Sequence, residues 1–96
     1  MKKNIKEGYN GWTNWETWVV NLWMDNDGLS NFFGEQIEAD PRLSSRDLGK
    51  AIEEYYDDEQ DRVMGRDAGL FGDIVTNTLK EVNWTEIADG VIVSYR

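Results

Sequence analysis

The chain contains no cysteine and no histidine. Disulfides, thiolate nucleophiles and Cys/His zinc sites are therefore excluded. So are a Ser-His-Asp triad and a histidine proton shuttle. Proline occurs once. No apolar run approaches the roughly 20 residues that span a bilayer, so no membrane contact is expected. The start, MKKNIKEGYNGW, carries basic residues but no apolar stretch, and does not read as a secretory signal. Bases are scarce too: 10 Lys and Arg stand against 19 Asp and Glu, a formal net charge of -9. That balance argues against direct nucleic-acid binding through a basic patch. A chain without cysteine fits a reducing compartment, and a cytoplasmic protein is the expectation.

What is present is a high aromatic load on a short chain. The 96 residues, one domain by size, hold five Trp, four Tyr and three Phe. Such rings supply large apolar area to a core that is otherwise small. Residues 1–10 read as a polar, mobile lead-in. Thr13 with Glu16 fits a capping box, and Asn14 is an alternative N-cap. Trp15, Trp18, Val19 and Leu22 then follow helical spacing, with Val20, Trp23 and Met24 widening the apolar arc. Gly28 is a C-cap candidate.

Ser30 is placed to cap a second helix, Asn31 to Glu38, with Leu29, Phe32, Phe33 and Ile37 turned inward. Asp40-Pro41 stops it. Ser44 or Ser45 caps a third helix with Leu48, Ala51, Ile52 and Tyr55 on one face, ending near Gly65. Asp67 caps a fourth, whose stripe is Leu70, Phe71, Ile74, Val75, Thr78, Leu79 and Val82. A short turn of helix, Trp84 to Asp89, ends at Gly90. The β-branched tail Val91-Ile92-Val93-Ser94-Tyr95 has strand propensity, and Ile5 to Tyr9 is its one candidate partner within the chain. The fold class is mainly α: a compact single domain over 1–96 of four to five short helices, with a short terminal strand or β-pair left open.

Carboxylates, Lys, Tyr and Ser are the catalytic chemistries that remain. The acids fall on polar helical faces, and a small bundle offers little volume for a cleft. A non-enzymatic protein is expected, with no catalytic residue, no cofactor and no metal assigned. Asp25-Asn26-Asp27-Gly28 invites a calcium-loop reading, but with Gly28 at the glycine position the first ligand position falls on Trp23, which cannot ligate. A polar helix terminus is the simpler account.

The acid distribution is sharper. Residues 51–96 carry 11 acids against 4 bases, and six of the nine residues from Glu53 to Asp61 are acidic. On a helix, Glu53, Asp57 and Asp61 stack at four-residue steps, about 6 Å each, and Glu54 and Asp58 form a neighbouring row. Like charges so placed destabilise the helix by a few tenths of a kcal/mol per pair. One reading is a solvated face that keeps a small protein soluble. The other is a charge row spaced on the order of backbone phosphates, which a basic nucleic-acid groove would attract and accept. On the second reading the contact residues are Glu53, Glu54, Asp57, Asp58, Glu59 and Asp61, with Tyr56 inside the run. The Trp-rich segment offers a competing surface, since Trp12, Trp15, Trp18 and Trp23 cannot all enter one small core.

Two segments carry a resemblance. Gly11-Trp12-Thr13-Asn14-Trp15-Glu16-Thr17-Trp18, with Val20-Asn21-Leu22-Trp23 after it, resembles the opening signature of a family of small Trp-rich proteins. These are carried by bacteriophages, plasmids and other mobile elements. Glu81-Val82-Asn83-Trp84-Thr85-Glu86-Ile87-Ala88 matches that family's second signature. The matches cover about 20 residues. The tail departs from the family, whose members continue as a helix where Gly90 is expected to stop this one. The resemblance implies a mobile-element origin and no stated activity. Small acidic proteins of such elements often inhibit host defence, as anti-CRISPR and anti-restriction proteins do, several by mimicking nucleic acid; that step is analogy. The expected function is stoichiometric inhibition of a host defence complex with a basic nucleic-acid groove, such as a CRISPR effector, in the host cytoplasm. The alternative is a phage interaction or regulatory module, homodimeric through an exposed Trp face or the Val91–Tyr95 strand.

Overall fold

The computed structural model describes Tyr9, residues 11–65 and residues 69–95. The lead-in over 1–10, apart from Tyr9, and the Asp67 cap lie outside the described residues. Among the described residues five helices follow one another: α1 Trp15–Asn26, α2 Leu29–Ala39, α3 Ser45–Met64, α4 Leu70–Glu81 and α5 Trp84–Tyr95. No strand occurs among the described residues.

Local chemistry sets the boundaries. Asn14 is the N-cap of α1, its side-chain oxygen accepting from the Thr17 N–H at 2.9 Å. The cap is thus Asn14, and Thr13 stands one residue outside the helix. Gly28 adopts φ of 78°, a left-handed conformation that costs glycine little, and turns the chain directly from α1 into α2. Consequently α2 begins at Leu29, two residues before the expected start, and Ser30 does not cap it. The Ser30 hydroxyl donates instead to Asp25 Oδ1. Ser44 caps α3 as expected, accepting from the Asp47 N–H at 3.1 Å.

The core lies where α3 and α5 cross, with α2 closing over α5. Leu48 and Ile52 of α3, Ile87 and Ala88 of α5, and Met24 of α1 are fully buried. Phe33 and Ile37 bring α2 into the same cluster. The close approach of α3 to α5 depends on Gly49: a Cβ there would lie 3.0 Å from the Trp84 carbonyl. A relay of rings joins the layers. Phe33 meets Tyr55 edge-on at 6.1 Å, Tyr55 meets Tyr56 at 5.1 Å, and Tyr56 stacks on Trp84 at 5.8 Å. Each such pair contributes about 1 kcal/mol beyond its buried area.

Three expectations are corrected. First, Val91–Tyr95 is not a strand: it is the last turn and a half of α5, and Gly90 lies inside the helix. Trp84, Ile87, Ala88, Val91 and Tyr95 form a helical stripe, and burial of Val91 with partial burial of Ile92 and Tyr95 outweighs β propensity. Second, α1 is rotated relative to the Trp-led stripe. Thr17 and Met24 are its buried residues, while Trp15, Leu22 and Trp23 are exposed. Third, α4 keeps the predicted apolar stripe but leaves its N-terminal part, Leu70, Phe71 and Ile74, in solvent, while Val75, Thr78 and Leu79 are half-buried and Val82 beyond its end is buried. No residue of α4 is buried, and Leu70 and Phe71 are 69% and 67% exposed. Phe32 of α2 is exposed as well.

Candidate functional site

Successive residues of a helix turn by about 100°, which places Glu53, Glu54, Asp57, Asp58 and Asp61 within an arc of about 140° on α3. The arc lies opposite Leu48 and Ile52, so the core packing of α3 aims these carboxylates outward. All five residues are exposed. The row rises about 12 Å from Glu53 to Asp61. Among the described residues none of the five is held in an ion pair. Arg46 and Lys50 stand on the same side of α3 in its first turns, so the face runs from basic to acidic along the helix. Lys80 of α4 shares a cleft of about 220 Å³ with Glu53 and Asp57 without pairing with either.

Glu59 and Tyr56 stand apart from this arc. Glu59 is held by the guanidinium of Arg62, with Nε–Oε1 at 2.7 Å and Nη2–Oε2 at 3.0 Å. That hydrogen bonding holds the Glu59 carboxyl below its usual range, with the Arg62 charge adding to it. Tyr56 is half-buried on Trp84, and its hydroxyl is buried with no hydrogen-bond partner. Burial pushes its phenol pKa up, and Tyr55, Asp27 and Glu59 push it further.

The acidic arrangement is locally unfavourable. Three i,i+4 pairs and two i,i+3 pairs of like charge lie within the arc, each costing a few tenths of a kcal/mol. Asp61 sits in the last turn, where the helix dipole disfavours an anion. Among the described residues no group of three or more Asp or Glu is placed to hold a metal ion.

The two signature segments form a separate constellation. Asn14 Nδ2 donates to the Glu81 carbonyl at 2.7 Å, and the Asn83 N–H donates to Thr17 Oγ1 at 2.9 Å. The Thr13 N–H donates to Glu86 Oε1 at 3.2 Å, and Asn83 Oδ1 accepts from the Glu86 N–H at 3.1 Å. Thr17 also donates its hydroxyl to Asn14 Oδ1 at 2.6 Å. Two helix N-caps, 69 residues apart in sequence, are thereby stitched into one network. Sequence reading found both segments but not their contact. The signal was there in two Asn N-caps, each followed three residues later by a side chain able to bond the other segment.

The geometry defines a class: a mainly α domain with an acidic helical face and a paired-cap scaffold. Residues 5–94 match a family of unknown function, DUF7249, and the chain belongs to that family. No curated protein and no solved structure matches it. No helix among the described residues is long and apolar enough to cross a membrane.

Proposed function

We propose that this protein is a non-catalytic inhibitor whose α3 face occupies the basic nucleic-acid groove of a partner complex and excludes the nucleic acid. The observation that carries the reading is the arc of five exposed carboxylates, unpaired among the described residues and opposed by the helix's own energetics. The repulsion is relieved when a Lys/Arg-lined groove closes on it, and the long-range field of a chain at -9 speeds the encounter. Glu59 and Tyr56 serve the fold rather than the contact. Resemblance to proteins of mobile elements makes a host defence complex, CRISPR effectors among them, the leading partner class.

The test is affinity capture from host lysate with identification by mass spectrometry, then elution with duplex DNA or RNA at constant ionic strength. A captured subunit with a basic groove, released by nucleic acid, is expected. A partner that saturating nucleic acid does not displace contradicts the mimicry.

A second reading has its own observation. Leu70, Phe71 and Ile74 on α4, and Trp15 and Trp23 on α1, are exposed apolar side chains. They favour a regulatory module that binds through apolar contact, including with itself. Light scattering separates the two: the mimic runs at 11.1 kDa and the self-associating module at a multiple of it.

A further inference from the structure

We propose that the cleft between the C-terminal halves of α1 and α5 is a binding site for an alkylammonium or guanidinium group. Trp12, Asn21, Asp25, Ser94 and Tyr95 line it, around a volume of about 220 Å³. That is smaller than the roughly 300–1,000 Å³ of sites for drug-sized ligands. It equals about seven waters' share of the liquid, at about 30 Å³ each. The space suits a side-chain-sized head, not a nucleotide. No residue of α3 lines it, so the site is independent of the acidic face.

Its electrostatics select a cation. Among the described residues no Lys or Arg lines the cleft. Asp25 accepts a hydrogen bond from the Ser30 hydroxyl on Oδ1 and makes no ion pair among the described residues. The C-terminal end of α5 lies here and carries about half a negative charge from its unsatisfied carbonyls, whereas the end of α1 is met by the N-terminus of α2 at Gly28–Ser30, whose dipole opposes it. Neither α1 nor α5 has a basic residue in its last turn. Two aromatic side chains, Trp12 and Tyr95, stand in the walls. The Tyr95 ring is fixed, because it lies over buried Gly34 and its hydroxyl donates to Asn31 Oδ1. The Trp12 indole rests against α5 at Gly90, where a Cβ would stand 3.7 Å from Cη2. A carboxylate, the C-terminus of α5 and two aromatic side chains around one small volume are the elements of an ammonium receptor.

The ligand's source is either a free amine or a Lys or Arg side chain of a protein partner. The test is an NMR titration of the ¹⁵N-labelled chain with n-butylammonium chloride, reading the Trp12 indole N–H and the Ser94 and Tyr95 amides. 1-Pentanol is the neutral isostere, and sodium chloride controls for ionic strength. Saturable shifts in the millimolar range are expected with butylammonium alone, weakened about fivefold or more in Asp25→Asn. That variant keeps an acceptor for Ser30 and so its fold. Equal shifts with pentanol or sodium chloride, or undiminished binding to Asp25→Asn, overturn the proposal. Arg96 lies outside the described residues. Binding to Arg96→Gln is therefore expected to be equal or tighter, and loss of binding there also overturns the site. Tighter binding of Nα-acetyl-lysine N-methylamide than of butylammonium assigns a protein side chain, and the reverse order assigns a free amine; either order supports the site.

Discussion

Thr17 offers a strong test of how this fold is held. It is fully buried, yet it is polar, and its hydroxyl works in two directions. It donates to Asn14 Oδ1 at 2.6 Å and accepts from the Asn83 N–H at 2.9 Å. Thr17→Val keeps the shape and the β-branch but removes both bonds. The Asn83 N–H then loses its acceptor in a partly buried position, at a cost of about 1–3 kcal/mol. With the Asn14 bond also lost, a destabilisation of about 2 kcal/mol is expected. For a domain of this size that lowers Tm by about 8–16 °C, at roughly 4–8 °C per kcal/mol. Thr17→Ser keeps the hydroxyl and loses one buried methyl, worth about 1 kcal/mol. Urea unfolding followed by Trp fluorescence is therefore expected to rank wild type above Thr17→Ser above Thr17→Val. Amide exchange at Asn83 accelerates in the valine variant alone. If Thr17→Val proves as stable as Thr17→Ser, the paired caps are incidental and packing alone decides this position.

Other substitutions probe the remaining layers. Gly49→Ala gains about 1 kcal/mol of helix propensity, but its Cβ meets the Trp84 backbone at 3.0 Å. Overpacking of about 1–3 kcal/mol is expected to win, lowering Tm by several degrees in calorimetry. Ile87→Ala is expected to cost about 2–5 kcal/mol, whereas Phe71→Ser on exposed α4 stays within about 0.5 kcal/mol by urea unfolding. Tyr56→Phe removes a hydroxyl buried without a partner, so its urea midpoint at pH 8 is expected to equal or exceed wild type. The folded-state pKa of Tyr56 is raised. Its contribution is therefore complete below the unfolded value of about 10 and lost as pH climbs above it. Wild type thus loses more stability than Tyr56→Phe between pH 8 and 10.5.

Much of the helical order was legible because its signals are local. The Ser44 cap, the turn at Gly28 and the stripe through Leu48 and Ile52 each follow from a few neighbouring residues. The misreadings came from tertiary effects. Val91-Ile92-Val93 carries β propensity, but a helical stripe from Trp84 to Tyr95 was equally present, and Gly90 was given too much weight as a stop. In α1 the Trp side chains suggested the buried face, while the Thr17–Asn83 bond brings Thr17 and Met24 inward. Nothing in the regular stripe of α4 announces that its N-terminal residues Leu70, Phe71 and Ile74 stay exposed. For the acidic run, helical spacing alone predicted that five carboxylates share a face. The same spacing already puts Glu59 and Tyr56 outside that arc, while the partners they take, Arg62 and Trp84, depend on side-chain packing. The Trp12–Asp25–Tyr95 cleft joins residues from three distant segments and has no sequence signature.

The central claim is that α3 displays its carboxylates for a basic partner at the expense of its own stability. The most direct measurement compares wild type with the triple variant Asp57→Asn, Asp58→Asn, Asp61→Asn. Stability is measured by urea unfolding, and affinity for the captured partner across a salt series. The variant is expected to be as stable as wild type or more stable, by up to about 1 kcal/mol as like-charge pairs are removed. It is also expected to bind at least tenfold more weakly, with a shallower salt dependence. A folded variant with undiminished affinity and an unchanged salt slope contradicts the claim.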